Sequence, residues 1–151
     1  MRSRGKGRTV RRARRGPDAP ASPRGAFTVP TDILFAYGTL MRGYALHRAL
    51  ARGATYVGPG QVRGTLLDLG SHPGLVEGRG AVSGEVYRLD APELLPAVDR
   101  QEGYNFERLR AGVVMADGRR SRAWVYWYRG SRDRAVPIPH GDYRRAHPAP
   151  H

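Results

Sequence analysis

Cysteine is absent from this 151-residue chain. Without cysteine the protein has no disulfide scaffold, no thiolate ligand for zinc and no thiol nucleophile. No apolar run approaches the roughly 20 residues that a membrane-spanning helix needs, and no apolar stretch follows the basic N-terminus as it would in a secretory signal. We therefore expect a cytoplasmic protein with one domain, since the chain is long enough to bury a single core.

Acidic residues are half as numerous as basic ones: 13 Asp and Glu against 26 Lys and Arg, which gives a net charge of +13. The first 25 residues hold nine basic residues and a single acid, Asp18, and so contribute 8 of these 13 charges. We predict that residues 1–30 form a disordered basic tail, because large apolar residues are nearly absent there. No aromatic residue interleaves the arginines to stack on bases. We therefore expect no nucleic-acid binding except through this tail, and a solvated extension is the simpler interpretation.

The ordered pattern begins near Asp32 and predicts a domain over residues 31–146, followed by a C-terminal tail at 147–151. Short apolar runs predict strands at 33–37, 61–69, 81–89, 109–116 and 119–128. Asp117-Gly118 predicts a type I′ hairpin turn between the last two strands, and the strand after it is apolar on both faces and therefore central. Helical spacing and capping predict short helices at 44–51 and 91–98. His72-Pro73-Gly74 and the segment after Gly130 are interpreted as irregular. The pattern is α+β: a small mixed β-barrel or twisted sheet with short peripheral helices.

Two short motifs carry candidate chemistry. Tyr37-Gly38-Thr39-Leu40 ends the first predicted strand in a glycine turn, whose backbone N–H groups can bind a carboxylate or carbonyl oxygen, helped by the helix predicted to follow. Glu102 offers a carboxylate for proton transfer, and we expect it in a turn after the 91–98 helix. Neither motif alone establishes a site, because glycine turns are common and turn carboxylates are ordinarily solvated.

Other polar residues are weaker candidates. Asp99 is interpreted as a helix-end side chain that is bonded locally. Tyr104, Tyr126 and Tyr128 can line a pocket, although sheets also use tyrosine in their cores. The five histidines are scattered and show no metal-ligand spacing.

The motifs, taken in order, resemble the γ-glutamylcyclotransferase-like family, which includes the plant AIG2-type proteins. The resemblance spans residues 32–145. It rests on Phe35–Gly43 (FAYGTLMRG), His72–Leu75 (HPGL), Val82–Tyr87 (VSGEVY), Val98–Tyr104 (VDRQEGY), Arg108 with Val113-Val114, Ala123–Tyr126 (AWVY) and Pro139–Tyr143 (PHGDY). The basic tail and Gln101 have no counterpart that we can interpret.

The resemblance implies a small mixed β-barrel and an enzyme that cyclises a γ-glutamyl substrate. In that reaction the α-amine attacks the γ-carbonyl, releases the attached amine and leaves 5-oxoproline. The family's catalytic glutamate falls on Glu102 as general acid and base, and its substrate-binding loop falls on Tyr37, Gly38, Thr39 and Leu40. One carboxylate can take the proton of the attacking ammonium and return it to the leaving nitrogen, so neither a metal nor an organic cofactor is required.

Two other functions stay open at this level. The chain can be a non-catalytic member of the family that binds a small acidic ligand, or a nucleic-acid-binding protein that acts through its Arg-rich tail. Turnover of γ-glutamyl compounds distinguishes the first from an enzyme, and a steep dependence of binding on salt identifies the second. The sequence names neither the amine attached to the γ-glutamyl group nor the oligomeric state.

Overall fold

A closed β-barrel dominates the computed structural model, which describes residues 32–150. Its strands are β1 (Ile33–Ala36), β2 (Ala54–Asp68), β3 (Pro73–Leu89), β4 (Phe106–Met115) and β5 (Arg120–Tyr128). They pair in the ring β1–β3–β2–β4–β5 and back to β1. The first four of these pairings are antiparallel, and β5 pairs with β1 in parallel. The predicted mixed barrel is therefore confirmed. The predicted tail at 1–30 lies outside the described residues.

Strands β2 and β3 are longer than the predicted strands at 61–69 and 81–89. The glycines that interrupt the apolar pattern belong to the strands, because they let neighbouring strands approach closely. A Cβ on Gly60 would lie 2.8 Å from Val86 and 3.1 Å from Val113. The interpretation of Pro73 and Gly74 as loop was wrong, since both begin β3 opposite the end of β2. In a sequence, glycine suggests that a strand ends. Here the glycines lie within strands and allow neighbouring strands to pack closely.

The helices are short and lie outside the barrel strands: α1 (His47–Ala51), α2 (Leu95–Glu102) and α3 (Tyr143–Ala146). The predicted helix 44–51 is an α-helix only over His47–Ala51, because residues 44–46 form turns in which the Tyr44 and Leu46 N–H groups donate back to the carbonyls of Met41 and Thr39 in the loop. The predicted helix 91–98 is a 3₁₀ turn at Pro92–Leu94 followed by α2. None of the helices in the described part is long and apolar enough to cross a membrane.

Helix α2 continues four residues beyond its predicted end and places Glu102 in its last turn. Gly103 ends the helix with a φ of 89°, and its N–H donates to the carbonyl of Asp99. The expectation that Glu102 lies in a turn was therefore wrong. Glycine adopts a positive φ without strain and so lets the chain leave the helix here, so Gly103, rather than Val98, marks the boundary.

The β4–β5 hairpin is confirmed, but its turn has three residues, Ala116–Gly118. The Gly118 N–H donates to the Met115 carbonyl and the Met115 N–H donates to the Arg119 carbonyl. With Gly118 at a φ of 90°, this is the hydrogen-bond pattern of a three-residue hairpin loop that ends in glycine, in place of the predicted two-residue type I′ turn. Strand β5 is central as predicted, because Ala123 and Val125 are fully buried and Tyr126, Trp127 and Tyr128 nearly so.

The segment after Gly130, predicted to be irregular, contains two short elements. A two-residue strand, β6 (Val136–Pro137), pairs with the end of β2. Helix α3 follows, capped by Asp142, whose side chain accepts from the Arg145 N–H at 3.3 Å. His147, at the start of the predicted C-terminal tail, lies 2.6 Å from the carboxylate of Asp68 through its Nε2. These contacts hold β6 and His147 against the end of β2 in the long β2–β3 hairpin. No local sequence pattern predicts them.

Candidate active site

A cavity of about 270 Å³ lies where β1 runs into the loop that precedes α1. Both candidate motifs line it: Tyr37, Gly38, Thr39 and Leu40 from the loop, and Glu102 from the end of α2. These two segments are about sixty residues apart in sequence, and the barrel closes them onto one space. The structure thus brings together all five residues that the sequence predicted for a site.

The loop presents an unusual row of backbone groups. The carbonyl oxygens of Gly38 and Thr39 accept from the N–H groups of Met41 and Leu46, both at 2.9 Å. The carbonyl of Leu40 lies 2.9 Å from Nδ1 of His47. Among the residues described, no acceptor is paired with the N–H groups of Gly38, Thr39 and Leu40. Because buried backbone donors are nearly always paired, three consecutive free N–H groups beside a cavity form a candidate anion or oxyanion site.

Gly38 is required here for space rather than for its backbone angles. A Cβ at this position would lie 2.5 Å from Cγ of Pro73 and 2.9 Å from its Cδ. Pro73 is itself buried and lines the same cavity. The Pro73 ring therefore packs directly on the backbone of the loop, and any side chain at position 38 would push the two apart.

The hydroxyl group of Tyr37 forms hydrogen bonds with the backbone of two barrel strands. It donates to the Tyr126 carbonyl at 2.7 Å and accepts from the Leu75 N–H at 3.1 Å. Burial, with a smaller contribution from the charge of Glu102, raises the pKa of Tyr37 above its ordinary value. The hydroxyl thus stays protonated and ties β1 to β3 and β5, which fixes the start of the loop.

Glu102 lies partly buried in the cavity wall and accepts no hydrogen bond from any described residue. Burial raises the pKa of this carboxyl group to about 7, and the negative charge of Asp99 contributes in the same direction. A carboxylic acid that titrates near neutrality can both accept and donate a proton in the same cycle. Its lack of a partner leaves both oxygens available to a ligand.

Asp99 precedes Glu102 by one helical turn and is held differently. Its carboxylate accepts from Arg108 at 2.8 Å and 3.2 Å and from the Tyr126 hydroxyl at 2.6 Å. Burial alone would raise the pKa of Asp99, but the hydrogen bonds from Arg108 and Tyr126 outweigh it and lower that pKa. The interpretation of Asp99 as locally bonded was wrong, since its partners lie on β4 and β5.

The two carboxyl groups therefore differ in protonation at neutral pH. Asp99 stays ionised because Arg108 and Tyr126 donate to it, whereas no described residue donates to Glu102, whose pKa is raised to about 7. Neighbouring carboxyl groups whose environments separate their pKa values are the usual arrangement for assigning one of them to acid–base chemistry. Glu102 is the residue that this arrangement leaves free to exchange a proton.

Several lining residues were not identified as site residues from the sequence. Apolar walls come from Phe35, Leu46, Pro73 and Phe106, and His72 packs its ring 5.7 Å from that of Phe106. The sequence gave Tyr126 as a possible pocket residue, and it does line the cavity. Of the other two tyrosines, Tyr104 is 96% exposed and Tyr128 donates to the Ser131 carbonyl. The described residues contain no cluster of three or more His, Asp or Glu side chains that could hold a metal ion.

Comparison with known proteins identifies a family model described as gamma-glutamyl cyclotransferase, AIG2-like, which matches residues 34–145. A Vibrio cholerae protein named "Putative gamma-glutamylcyclotransferase" is 34% identical over 119 residues, covering 74% of this chain and 94% of the relative. The crystal structure of an AIG2-like protein from mouse superposes with a TM-score of 0.64 at 23% identity, over 78% of this chain and 91% of that one. An uncharacterised Pyrococcus horikoshii protein superposes with a TM-score of 0.63 at 26% identity, over 77% and 92% of the two chains.

Proposed function

Since this chain belongs to the gamma-glutamyl cyclotransferase, AIG2-like family, we propose that it is an enzyme that converts a γ-glutamyl amide to 5-oxoproline and a free amine. The observation that carries the proposal is the position of Glu102. This carboxyl group has no partner among the described residues, titrates near neutrality, and shares a cavity with three free backbone N–H groups.

The reaction begins with proton removal. The α-amino group of the substrate arrives as an ammonium ion, which has no lone pair with which to attack. The ionised Glu102 carboxylate takes one proton, and the neutral nitrogen then forms a bond to the γ-carbonyl carbon. Because attacking and attacked groups belong to one molecule, holding the substrate in a folded conformation supplies much of the rate enhancement.

Charge then develops on the γ-carbonyl oxygen as its π electrons move onto it. The free N–H groups of Gly38, Thr39 and Leu40 offer hydrogen bonds either to this oxygen or to the α-carboxylate of the substrate. When the tetrahedral species collapses, the bond to the attached amine breaks, and protonated Glu102 delivers a proton to the departing nitrogen. Glu102 returns to its ionised state and takes the second proton from the ring nitrogen, which leaves the neutral lactam. That proton passes through solvent to the released amine, which departs as an ammonium ion.

The test is a screen of γ-glutamyl amides with detection of 5-oxoproline by mass spectrometry. The screen includes γ-glutamyl amino acids, γ-glutamyl-ε-lysine and simple γ-glutamyl alkylamides, with the corresponding α-glutamyl compounds as controls that the enzyme should leave intact. Formation of 5-oxoproline together with the free amine supports the proposal. A folded protein that binds 5-oxoproline but turns over none of these amides would be a non-catalytic family member that binds a small acidic ligand.

A further inference from the structure

Four arginines lie on the outer surface of the β4–β5 hairpin, which makes this surface strongly positive. Side chains alternate along a strand, so residues two apart share one face. On this face lie Arg108, Arg110 and Gly112 of β4 and Arg120, Arg122 and Trp124 of β5, which we call the arginine face. The register places Arg110 opposite Trp124 and Gly112 opposite Arg122.

No carboxylate belongs to the arginine face, since Glu107, the one acidic residue of these two strands, has the opposite parity. At the end of the face away from the hairpin turn, Arg108 forms an ion pair with Asp99 and Arg110 forms one with Asp32. Arg120 and Arg122 are exposed and form no ion pair with any described residue. The unneutralised charge therefore lies towards the turn of the hairpin.

The anchored arginines are also stacked. The guanidinium groups of Arg108 and Arg110 lie 4.5 Å and 4.4 Å from the ring of Trp124. Each guanidinium is thereby held as a flat plate by cation–π attraction. Arginine held in this way keeps N–H groups for phosphate oxygens and a planar face on which a base can stack.

Gly112 leaves a gap between these arginines. Nothing lies within 4 Å of the position that a Cβ on Gly112 would take, so the strand backbone is bare there. Outward side chains on one strand are about 7 Å apart, and the gap is flanked by Arg110 on the same strand and by Arg122 opposite. A flat, open strip between guanidinium groups admits an extended anionic chain.

We propose that the arginine face binds single-stranded nucleic acid through phosphate contacts of Arg120 and Arg122, with Arg108 and Arg110 as stacking plates. This inference does not rest on the cyclisation chemistry, because Arg120 and Arg122 do not line the candidate active site. It departs from the expectation that nucleic acid is bound only through the tail. An anionic membrane fits less well, because the large aromatic side chain of the face, Trp124, is covered by guanidinium groups and has no free ring to insert into lipid.

Binding of the full-length chain to a labelled 20-nucleotide single-stranded RNA, followed by fluorescence anisotropy, tests the proposal. Replacement of Arg120 and Arg122 by Gln should weaken binding about tenfold near physiological salt. It should also make the slope of log K against log salt shallower by about 1.4, since each phosphate contact on a single strand contributes about 0.7. The matched control replaces Arg132 and Arg134, which are exposed and outside the face, and removes the same charge with little effect.

A second pair of variants tests the geometry. Gly112 has an ordinary backbone conformation and open space above it, so Gly112→Asp and Gly112→Asn should both fold. The two side chains have the same shape and differ in charge, and we expect the Asp variant to bind RNA more weakly than the Asn variant. The proposal would be overturned if the two arginine double variants lost RNA affinity equally, or if the two Gly112 variants bound RNA equally well. Binding to anionic vesicles without binding to RNA would also overturn it.

Discussion

Glu85, which is buried, and Glu102, which is partly buried, are two carboxylates of the described residues whose pKa values shift in opposite directions. Glu85 on β3 is 5% exposed and accepts hydrogen bonds from the N–H and the guanidinium of Arg42, from the Tyr87 hydroxyl and from Arg144. Burial alone would raise the pKa of Glu85, but these donors outweigh it and lower that pKa. No residue between 32 and 150 donates to Glu102, and burial raises the pKa of this carboxyl group to about 7.

The difference shows that hydrogen-bond partners, rather than depth of burial, decide what a carboxylate does in this barrel. Glu85 joins the loop after β1 to α3 through Arg42 and Arg144, so its charge is used in holding the fold. Glu102 has no partner among the described residues, which slightly lowers the stability of the fold. The same lack of a donor leaves its pKa near neutrality, so that it can exchange protons at neutral pH. One carboxylate is structural and the other is available for catalysis.

The largest expected effect is the loss of turnover in Glu102→Gln. The amide keeps the shape of the side chain but cannot accept the proton of the attacking ammonium, so the rate should fall by about 10² to 10⁴. Turnover of an accepted γ-glutamyl amide is measured beside a thermal melt. Glu93→Gln, at an exposed residue of the 3₁₀ turn just before α2, serves as the control and should retain activity. A folded Glu102→Gln protein with full activity would remove Glu102 from the mechanism.

Glu85→Gln should instead lower stability, by about 2 kcal/mol at pH 7, because it breaks a buried ion pair whose arginines are half exposed. The pKa of Glu85 is depressed in the folded state. Its contribution is therefore present above the unfolded pKa, about 4.3, and is lost as pH falls through the folded pKa. Urea denaturation at pH 7 and again near pH 3 measures the difference. A penalty of equal size at both pH values would contradict the role of the ionised form.

Glu102→Gln should raise stability, in contrast to Glu85→Gln. Because the folded pKa of Glu102 is raised to about 7, ionisation destabilises the wild type progressively between about pH 4.3 and pH 7. The variant should be more stable by about 1 to 2 kcal/mol at pH 8, allowing for partial solvent exposure, and equal to the wild type near pH 4. Denaturation curves at the two pH values test this, and a variant less stable at pH 8 would show that the carboxylate is paired after all.

The smallest expected effect concerns the pH dependence of kcat/KM. The wild type should gain activity on the acid side as Glu102 ionises, with an apparent pKa of about 7. Asp99→Asn removes the neighbouring negative charge and should move this limb to lower pH. Asp117→Asn in the hairpin turn, with its exposed side chain, should leave the limb in place. A limb that moves to higher pH in Asp99→Asn would mean that Asp99 acts on Glu102 through structure rather than charge.

Sequence reasoning identified the five-stranded pattern, the hairpin at Asp117-Gly118 and the two site motifs, because each depends on neighbours a few residues away. It ended α2 too early, started β2 and β3 too late, and missed α3. Those boundaries are set by contacts between distant segments, such as Gly60 packing against Val86 and Val113. A glycine that breaks a local pattern and a glycine that admits a neighbouring strand look the same in a single sequence.

The sequence by itself determined which groups were available: a glycine loop rich in backbone donors, a carboxylate at 102 and the family to which they belong. Tertiary structure alone decided how these groups behave. The pKa of Glu102 near neutrality follows from burial beside Asp99 without a donor, and the paired state of Asp99 follows from Arg108 and Tyr126 on two other strands. Desolvation and hydrogen-bond pairing are properties of the assembled barrel, since they depend on groups that only folding brings within a few ångströms.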